Sequence, residues 1–582
     1  MSSLDIHPQA RKQSEFPRDG RSADGASKYR VTAMRKALRY WPWLAAIFTG
    51  LLCTFCFPPF NQAWLCWFAL TPLLTAVWFS GKGSKRRWVR DLNLGYLAGL
   101  VFFWSAFSWL RTVTVSGWIL VGFYMAVYFA VWAWLTGLFR PRTPSPTVPR
   151  SKHAWPPPPL NDSPLARSPW LNSIHNLAIA FVLACGWVTT EWFRSWVFSG
   201  WGWNGLGVAL HGILPAIQIA EVTGVAGISF FIVFANVIAL TTVHRFILET
   251  QMRSMRPHYD LTLTMAAVIG IFAYGIGALQ IHPPTKLLRI ASIQANIPRE
   301  EKFSRPYVQR IFDQFEHLTD LALTAKPPPD LILWPESSMP GPVLVDEENY
   351  QFVMKIAAAA NTDLLLGSID QDKKGAYNAA LLVSEKGERV QLYRKLHLVP
   401  FGEYVPGRHT IPFIAQIVGD QVPGDFAAGA DHTVFRLSKD RAQVAPLICF
   451  EDTIGELTRQ FVLRGATLLA NVTNDGWFLR SAGSQQHLAN AIFRCIETRR
   501  PMVRAANTGV TCFINQYGRI TQELRDETGS QFTEGVLSGE IAVPTSRNFT
   551  FYTRHGELFA QLCGGVALIA VALKLAMLVR QK

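Results

Sequence analysis

Eight apolar stretches of about 20 residues dominate the sequence, at 40–58, 62–80, 92–110, 115–139, 174–198, 221–243, 261–280 and 557–579. A helix rises about 1.5 Å per residue, so such a stretch matches a hydrocarbon layer of about 30 Å. Backbone polar groups in lipid must be satisfied within the segment, which leaves helices as the natural reading of these runs. Composition agrees. Only 17% of the 582 residues are charged, against about 25% in ordinary soluble domains. Disorder is excluded as the main state, because 49% hydrophobic residues supply ample surface to bury.

Lys and Arg number 56 and Asp and Glu 41, a net charge of +15. Such an excess can mark nucleic-acid binding, anionic lipid or the loops of a membrane protein, and its position along the chain decides. Lys82, Lys85, Arg86, Arg87 and Arg90 follow the second run. Arg140, Arg142, Arg150 and Lys152 follow the fourth, in a Pro-rich linker, and His244, Arg245, Arg253 and Arg256 follow the sixth. The intervening loops at 58–61, 111–114 and 199–220 are nearly free of Lys and Arg. The positive-inside rule makes the basic loops cytoplasmic, with no need for nucleic acid. The expected organisation is a disordered basic cytoplasmic tail at 1–34 and a seven-helix membrane domain at 35–280. An extracytoplasmic domain at 281–556 follows, then a last span and basic end at 557–582.

The eight cysteines suggest no disulfide framework. Cys53, Cys56, Cys66, Cys185 and Cys563 lie in apolar runs, and the Cys53-x-x-Cys56 pair has no second ligand pair nearby, so no metal site is expected.

Residues 281–556 alternate short apolar strands with helical patterns. Strands are expected at 287–297, 330–334, 363–369, 443–450 and 466–472, and helices at 305–324 and 484–499. Hairpins are expected at 376–395 and 503–523, turning at Glu385–Glu388 and Gln516–Arg519. This alternation indicates a layered α/β domain.

Three residues stand where α/β folds place chemistry, at or near strand ends. Glu336 lies in Trp334-Pro-Glu-Ser337, Lys395 in Tyr393-Arg-Lys-Leu-His397 and Cys449 in Leu447-Ile-Cys-Phe-Glu451. A thiol on a sharp turn can attack a carbonyl, a carboxylate can take its proton, and an ammonium can stabilise the oxyanion. Together they are suited to covalent acyl transfer. Taken singly, each has a bland alternative: a core thiol, a capping acid and a surface lysine. In the membrane part, Glu191-Trp-Phe-Arg194 places ionisable groups near the outer end of the fifth run, where they are costly. Arg194 could meet a lipid phosphate, or snorkel as the partner of Glu191.

The context of these residues resembles the nitrilase, or carbon–nitrogen hydrolase, superfamily, and within it the apolipoprotein N-acyltransferase family. The matching motifs are Trp334-Pro-Glu-Ser337, the segment Lys395–Glu403, Cys449-Phe-Glu451, Asn474–Phe478, Gln486-His487, Arg500-Pro501, Asn507-Thr-Gly509 and Phe551–Glu557. The resemblance implies a polytopic α-helical membrane domain with an extracytoplasmic αββα sandwich. Glu336 would be the base, Lys395 the oxyanion stabiliser and Cys449 the nucleophile, with Glu403, Phe450 and Glu451 in support. The family often has Tyr where Phe450 stands. Trp203, in Gly200-Trp-Gly-Trp-Asn204, matches a substrate-holding Trp, although Gly202 and Gly207-Val208 depart from the family pattern.

The implied reaction is a ping-pong transfer. A membrane phospholipid donates an acyl chain to the thiol, and the α-amine of a diacylglyceryl-Cys apolipoprotein accepts it. No cofactor is called for, and the expected location is the periplasmic side of a bacterial inner membrane. The Gly-, Pro- and Phe-containing segment Tyr404–Asp431 reads as a mobile apolar lid or a plain surface loop. The alternative function is a membrane-tethered amidase acting on a small substrate, with water resolving the thioester. A non-enzymatic transporter fits less well, since no inverted repeat is visible.

Overall fold

The computed structural model describes residues 22–81, 85–141, 168–251, 255–405, 408 and 425–580. Residues 1–21, Arg142, Arg150, Lys152, Arg253 and most of the expected lid lie outside the described residues.

Among the described residues, five helices are long and apolar enough to cross a membrane: Val115–Leu138, Pro169–Arg194, Ala220–Thr250, Tyr259–Leu279 and Leu558–Arg580. Two further long helices, Ser22–Phe55 and Arg87–Ala106, contain most of the first and most of the third apolar run. The first of these begins inside the segment expected to be a disordered tail, so residues 22–34 continue the helix.

The second run differs from the expectation of one span. It breaks into a 3-10 turn at Ala63–Trp67 and a short helix at Thr71–Phe79. Pro72, which lacks a backbone N–H, sits in the first turn of that helix. Neighbouring side chains serve the backbone groups at the break. Asn236 accepts from Leu70 N at 3.0 Å and donates to Cys66 O at 2.8 Å, while Thr49 accepts from Leu73 N at 3.0 Å. A broken span is tolerated where protein replaces lipid around it in this way.

Small residues let the spans approach closely. A Cβ on Gly99 would lie 2.8 Å from Ala126 Cα, and one on Gly95 would lie 2.5 Å from Ala133 Cβ. The helices Arg87–Ala106 and Val115–Leu138 thus pack backbone to backbone, as expected where apolar burial gives little drive between helices.

The region 285–544 holds two six-stranded sheets. The first has the order β12-β1-β2-β3-β4-β5, formed by Gly535–Pro544, Thr285–Gln294, Leu331–Leu333, Asp363–Asp372, Gly375–Val383 and Val390–Arg394. The second has the order β11-β10-β9-β8-β7-β6, formed by Ile520–Glu523, Cys512–Ile514, Met502–Ala506, Leu468–Thr473, Gln443–Ile448 and Phe435–Arg436. The two-residue period of the strands sorts their side chains between faces. Ile290, Leu331, Leu333, Leu365 and Leu382 share one face of the first sheet and belong to the same buried core as Leu447 and Leu469 of the second. The alternate residues Ile332, Leu364, Leu366 and Leu381 pack outward against Phe312, Phe315 and Ile356 of the helices Val308–Leu323 and Glu347–Ala360. The helices Gly455–Leu463 and Gly483–Thr498 contribute Phe461, Phe493 and Ile496 to the core around the second sheet. This is the expected αββα sandwich.

The hairpin expected at 503–523 is a three-stranded meander, since the chain turns between β9 and β10 as well as between β10 and β11. The hairpin at 376–395 is present as β4 and β5.

The tight glycine contact yields a prediction. Gly99→Leu overpacks the helix pair at a cost of about 1–3 kcal/mol. Thermal unfolding in detergent should show a lowered midpoint, and an unchanged midpoint would rule out the close approach.

Candidate active site

Glu336 follows β2 on a turn that β3 presses against. A Cβ on Gly367 would lie 2.5 Å from Glu336 Cα, so this crossing admits only glycine without displacement. Gly367 N donates to Pro335 O at 3.1 Å, and Ser338 N donates to Gly367 O at 2.9 Å, which clamps the turn on both sides of Glu336. Lys302 Nζ, itself buried, donates to the Glu336 carbonyl at 2.6 Å. The Glu336 carboxyl accepts at Oε1 from Asn378 Nδ2 at 2.7 Å. Its Oε2 is buried and has no hydrogen-bond partner among the described residues. Burial pushes this carboxyl above its ordinary range, against the pull of Lys395.

Lys395 closes β5 and is 1% exposed. Its backbone is fixed on both sides, with N donating to Asn378 O and O accepting from Gly429 N, each at 2.8 Å. Nζ lies 2.8 Å from Glu403. Burial alone would lower the ammonium, but Glu403, the Cys449 thiol, Glu336 and Glu451 together hold it above its ordinary value. Asn378 Nδ2 also donates to Glu403 Oε1 at 2.7 Å. One amide nitrogen thus bridges the two carboxylates that flank the ammonium. Val399 N donates to the other Glu403 oxygen at 2.8 Å, so Glu403 closes its own loop.

Cys449 begins a 3-10 turn directly after β7, with φ at 51°. A left-handed backbone is uncommon for a residue other than glycine and turns the side chain out of the strand line. Asn471 Nδ2 supports the turn through the Cys449 carbonyl at 3.0 Å. Burial pushes the thiol well above its ordinary value, Glu336 adds to this, and Lys395 opposes it. The resting group is therefore a thiol that needs a base. The same interactions record that Cys449, Glu336 and Lys395 are electrostatic neighbours.

Glu451 is fully buried and binds the elbow to the Lys395 loop. It accepts from Tyr393 Oη at 2.8 Å, Leu396 N at 2.8 Å, His397 N at 3.1 Å and Ile448 N at 2.9 Å. Burial pushes its carboxyl up to about 7, although these donors favour the anion. Asp452, next along, accepts from His487 Nε2 at 2.8 Å and from Arg504. His487 Nδ1 in turn lies 3.0 Å from Asp475. A closed set of two acidic and two basic side chains therefore underlies the Cys449 turn.

The two membrane residues expected at the substrate are placed differently. Trp203 is 1% exposed. Its ring stacks on Phe450 at 5.8 Å and 4° and on Trp201 at 5.9 Å and 22°. It packs behind the Cys449 turn and is buried. Phe450 supplies an aromatic face for that stack, which needs no hydroxyl.

Arg194 is buried, with Nε unpartnered among the described residues and the guanidinium 5.5 Å from the Phe103 ring. It lines a cavity of about 20 Å³ with Tyr128, Thr190, Glu191 and Asn204. That volume holds a water rather than a phosphate. Glu191 is engaged elsewhere, accepting from Trp187 Nε1 and Leu206 N, each at 2.7 Å.

Asn378, Lys302 and Tyr393 were not singled out by the sequence. Asn378 sits mid-strand in the first arm of a hairpin, opposite Ile369 of β3, and only its hydrogen bond reveals that it faces Glu336. Lys302 lies in Arg299-Glu-Glu-Lys302, which reads as solvated charge.

Residues 289–550 match the Carbon-nitrogen hydrolase family model, and residues 49–238 match the Apolipoprotein N-acyltransferase N-terminal domain model. An apolipoprotein N-acyltransferase of Geobacter metallireducens is 33% identical over 547 residues, covering 91% of this chain and 95% of that protein. Another, of Chlorobaculum tepidum, is 28% identical over 558 residues, covering 90% and 95%. Similarity that runs unbroken through the membrane helices and the two-sheet domain places this chain in the apolipoprotein N-acyltransferase family.

Proposed function

We propose that this membrane enzyme moves an acyl chain from a phospholipid to the N-terminal α-amine of diacylglyceryl-Cys apolipoproteins through a thioester on Cys449. The observation that carries the reading is the bonded series Glu336–Asn378–Glu403–Lys395 beside the strained Cys449 turn. Asn378 occupies one oxygen of Glu336, and the other has no partner, as a proton acceptor requires.

In the first half-reaction Glu336 takes the Cys449 proton while Sγ attacks the ester carbonyl. The oxyanion forms beside the Lys395 ammonium, which the Glu403 carboxylate holds in place. Collapse breaks the ester C–O bond. The proton on Glu336 passes to the departing oxygen, and a lysophospholipid leaves. In the second half-reaction a neutral α-amine attacks the thioester. Glu336 takes a proton from the nitrogen, the C–S bond breaks, and the thiolate regains a proton from Glu336. An α-amine has a pKa of about 7.7–8.0, so a useful fraction is neutral near neutral pH.

The tethered-amidase alternative is disfavoured by the membrane domain, whose family match extends over 49–238 where a single anchor would serve a soluble substrate. The loops that meet the catalytic domain, around Pro58, Trp109 and Trp203, end the spans away from the basic loops. That arrangement supports a catalytic domain on the periplasmic side of the inner membrane.

Three outcomes check these readings. Cys449→Ser should abolish transfer, while Cys495→Ala should not. Glu336→Gln and Lys395→Ala should each cut formation of the acyl-enzyme, Lys395→Ala by about 10²–10³. Because Glu336 titrates above the ordinary carboxylate range, activity should fall as pH drops through that raised value and be full above it. A normal burst of lysophospholipid from Glu336→Gln would overturn the role of base.

The acceptor is tested by incubating the enzyme with phospholipid alone. A stable thioester should accumulate and discharge on adding a diacylglyceryl peptide with a free N-terminus, but not its acetylated form. Steady release of fatty acid without acceptor would favour the amidase-like reading. For orientation, a Cys placed at Arg150 should resist an impermeant thiol reagent in intact spheroplasts, and labelling before lysis would reverse the topology.

A further inference from the structure

Gln486 lies in the first turns of the helix Gly483–Thr498 and is 1% exposed. Its side-chain amide is fully engaged. Oε1 accepts from Trp109 Nε1 at 3.0 Å, Asn204 Nδ2 at 3.0 Å and Trp203 Nε1 at 3.3 Å. Nε2 donates to Pro58 O and Ala106 O, each at 2.9 Å. Every one of these partners belongs to the membrane domain, and they come from three separate inter-helix segments. One helical turn later the contact repeats. Asn490 Nδ2 donates to Asn204 Oδ1 and Asn204 N donates to Asn490 Oδ1, both at 3.1 Å.

The adjacent residue, His487, touches the Trp203 ring at 5.3 Å and also reaches the Cys449 turn. It holds Asp452 at 2.8 Å, and Asp452 belongs to the same 3-10 turn as Cys449. A second route runs through rings. Trp203, bonded to Gln486, stacks on Phe450, the residue after the nucleophile. Successive residues of one helix therefore grip the membrane domain and the nucleophile turn. Burying an amide costs its hydration, so five well-placed partners are needed to make the site favourable, and an isostere that cannot donate leaves two carbonyls unpaired.

We infer that Gln486 is a positioning residue that sets the register of the Cys449 turn against the membrane domain, and so governs how a bilayer-anchored acyl donor reaches the thiol. It touches no reacting atom. The inference rests on Cys449 being the nucleophile, and the measurement separates the two claims.

The full chain in phospholipid vesicles is compared with Gln486→Leu, reading acyl-Cys449 formation against donor content and, in parallel, the rate of Cys449 alkylation by iodoacetamide, located by mass spectrometry. The expected result is a KM for the phospholipid raised about tenfold or more, with alkylation changed less than about threefold, because the lost bonds serve docking and not the thiol. A proportional loss of alkylation, an effect confined to kcat, or no effect on either overturns the inference. If Gln486→Leu does not yield a folded protein, Asn490→Ala, which removes the reciprocal amide pair with Asn204 and the bond to Gln486 O, is judged by the same criteria. Absence of acyl-Cys449 in the parent protein would refute the nucleophile itself and is distinguishable from all of these.

Discussion

A lysine ammonium taken out of water needs a carboxylate within hydrogen-bond reach, and the site is arranged around meeting that need for Lys395. Glu403 supplies the charge, and Glu403 is in turn fixed by the amide of Val399 and the side chain of Asn378. Because Asn378 uses the same nitrogen on Glu336, Glu336 is oriented by the residue that orients the partner of the ammonium. The Lys395 backbone is tied to β4 through Asn378 O, so the pair cannot drift relative to the first sheet. The second sheet enters through the Cys449 turn, which Asn471 of β8 supports, and Glu451 joins that turn to the Lys395 loop by accepting from Leu396, His397 and Ile448. The chemistry thus sits at a seam between two sheets, held by one carboxylate on each side.

Much of this was legible in the sequence because strong signals are local. The Glu336, Lys395 and Cys449 contexts each stand beside an apolar strand run, and those runs appear as β2, β5 and β7. Apolar runs without breaks gave helices close to where they were read, as at Val115–Leu138. The run at 62–80 was misread because its composition is apolar throughout, while the break depends on Asn236 and Thr49, which come from distant helices. The strand Gly535–Pro544 was not read at all. Its burial alternates weakly at one sheet edge, and its identity comes from pairing with β1.

Trp203 shows a different limit. Its motif was visible, yet a motif does not say whether a ring faces a ligand or another ring. Its ring stacks on Phe450 and its N–H bonds Gln486, at the joint between the domains. Arg194 likewise kept its ionisable character in a costly place, but its neighbours close the space around it to about 20 Å³.

The pairing of β1 with β12 has a consequence for how the chain is made. The first strand of the two-sheet domain finds its outer neighbour only in the last, Thr285 beside Pro544 and Gln294 beside Gly535. A chain emerging from synthesis therefore exposes one edge of its opening strand until nearly the whole domain has been delivered. An unpaired edge is a template for wrong partners, and contacts so distant in sequence form slowly. The closing strand arrives just before the helix Leu558–Arg580, so completion of the sheet and entry of the final span are close to a single event in the life of the chain.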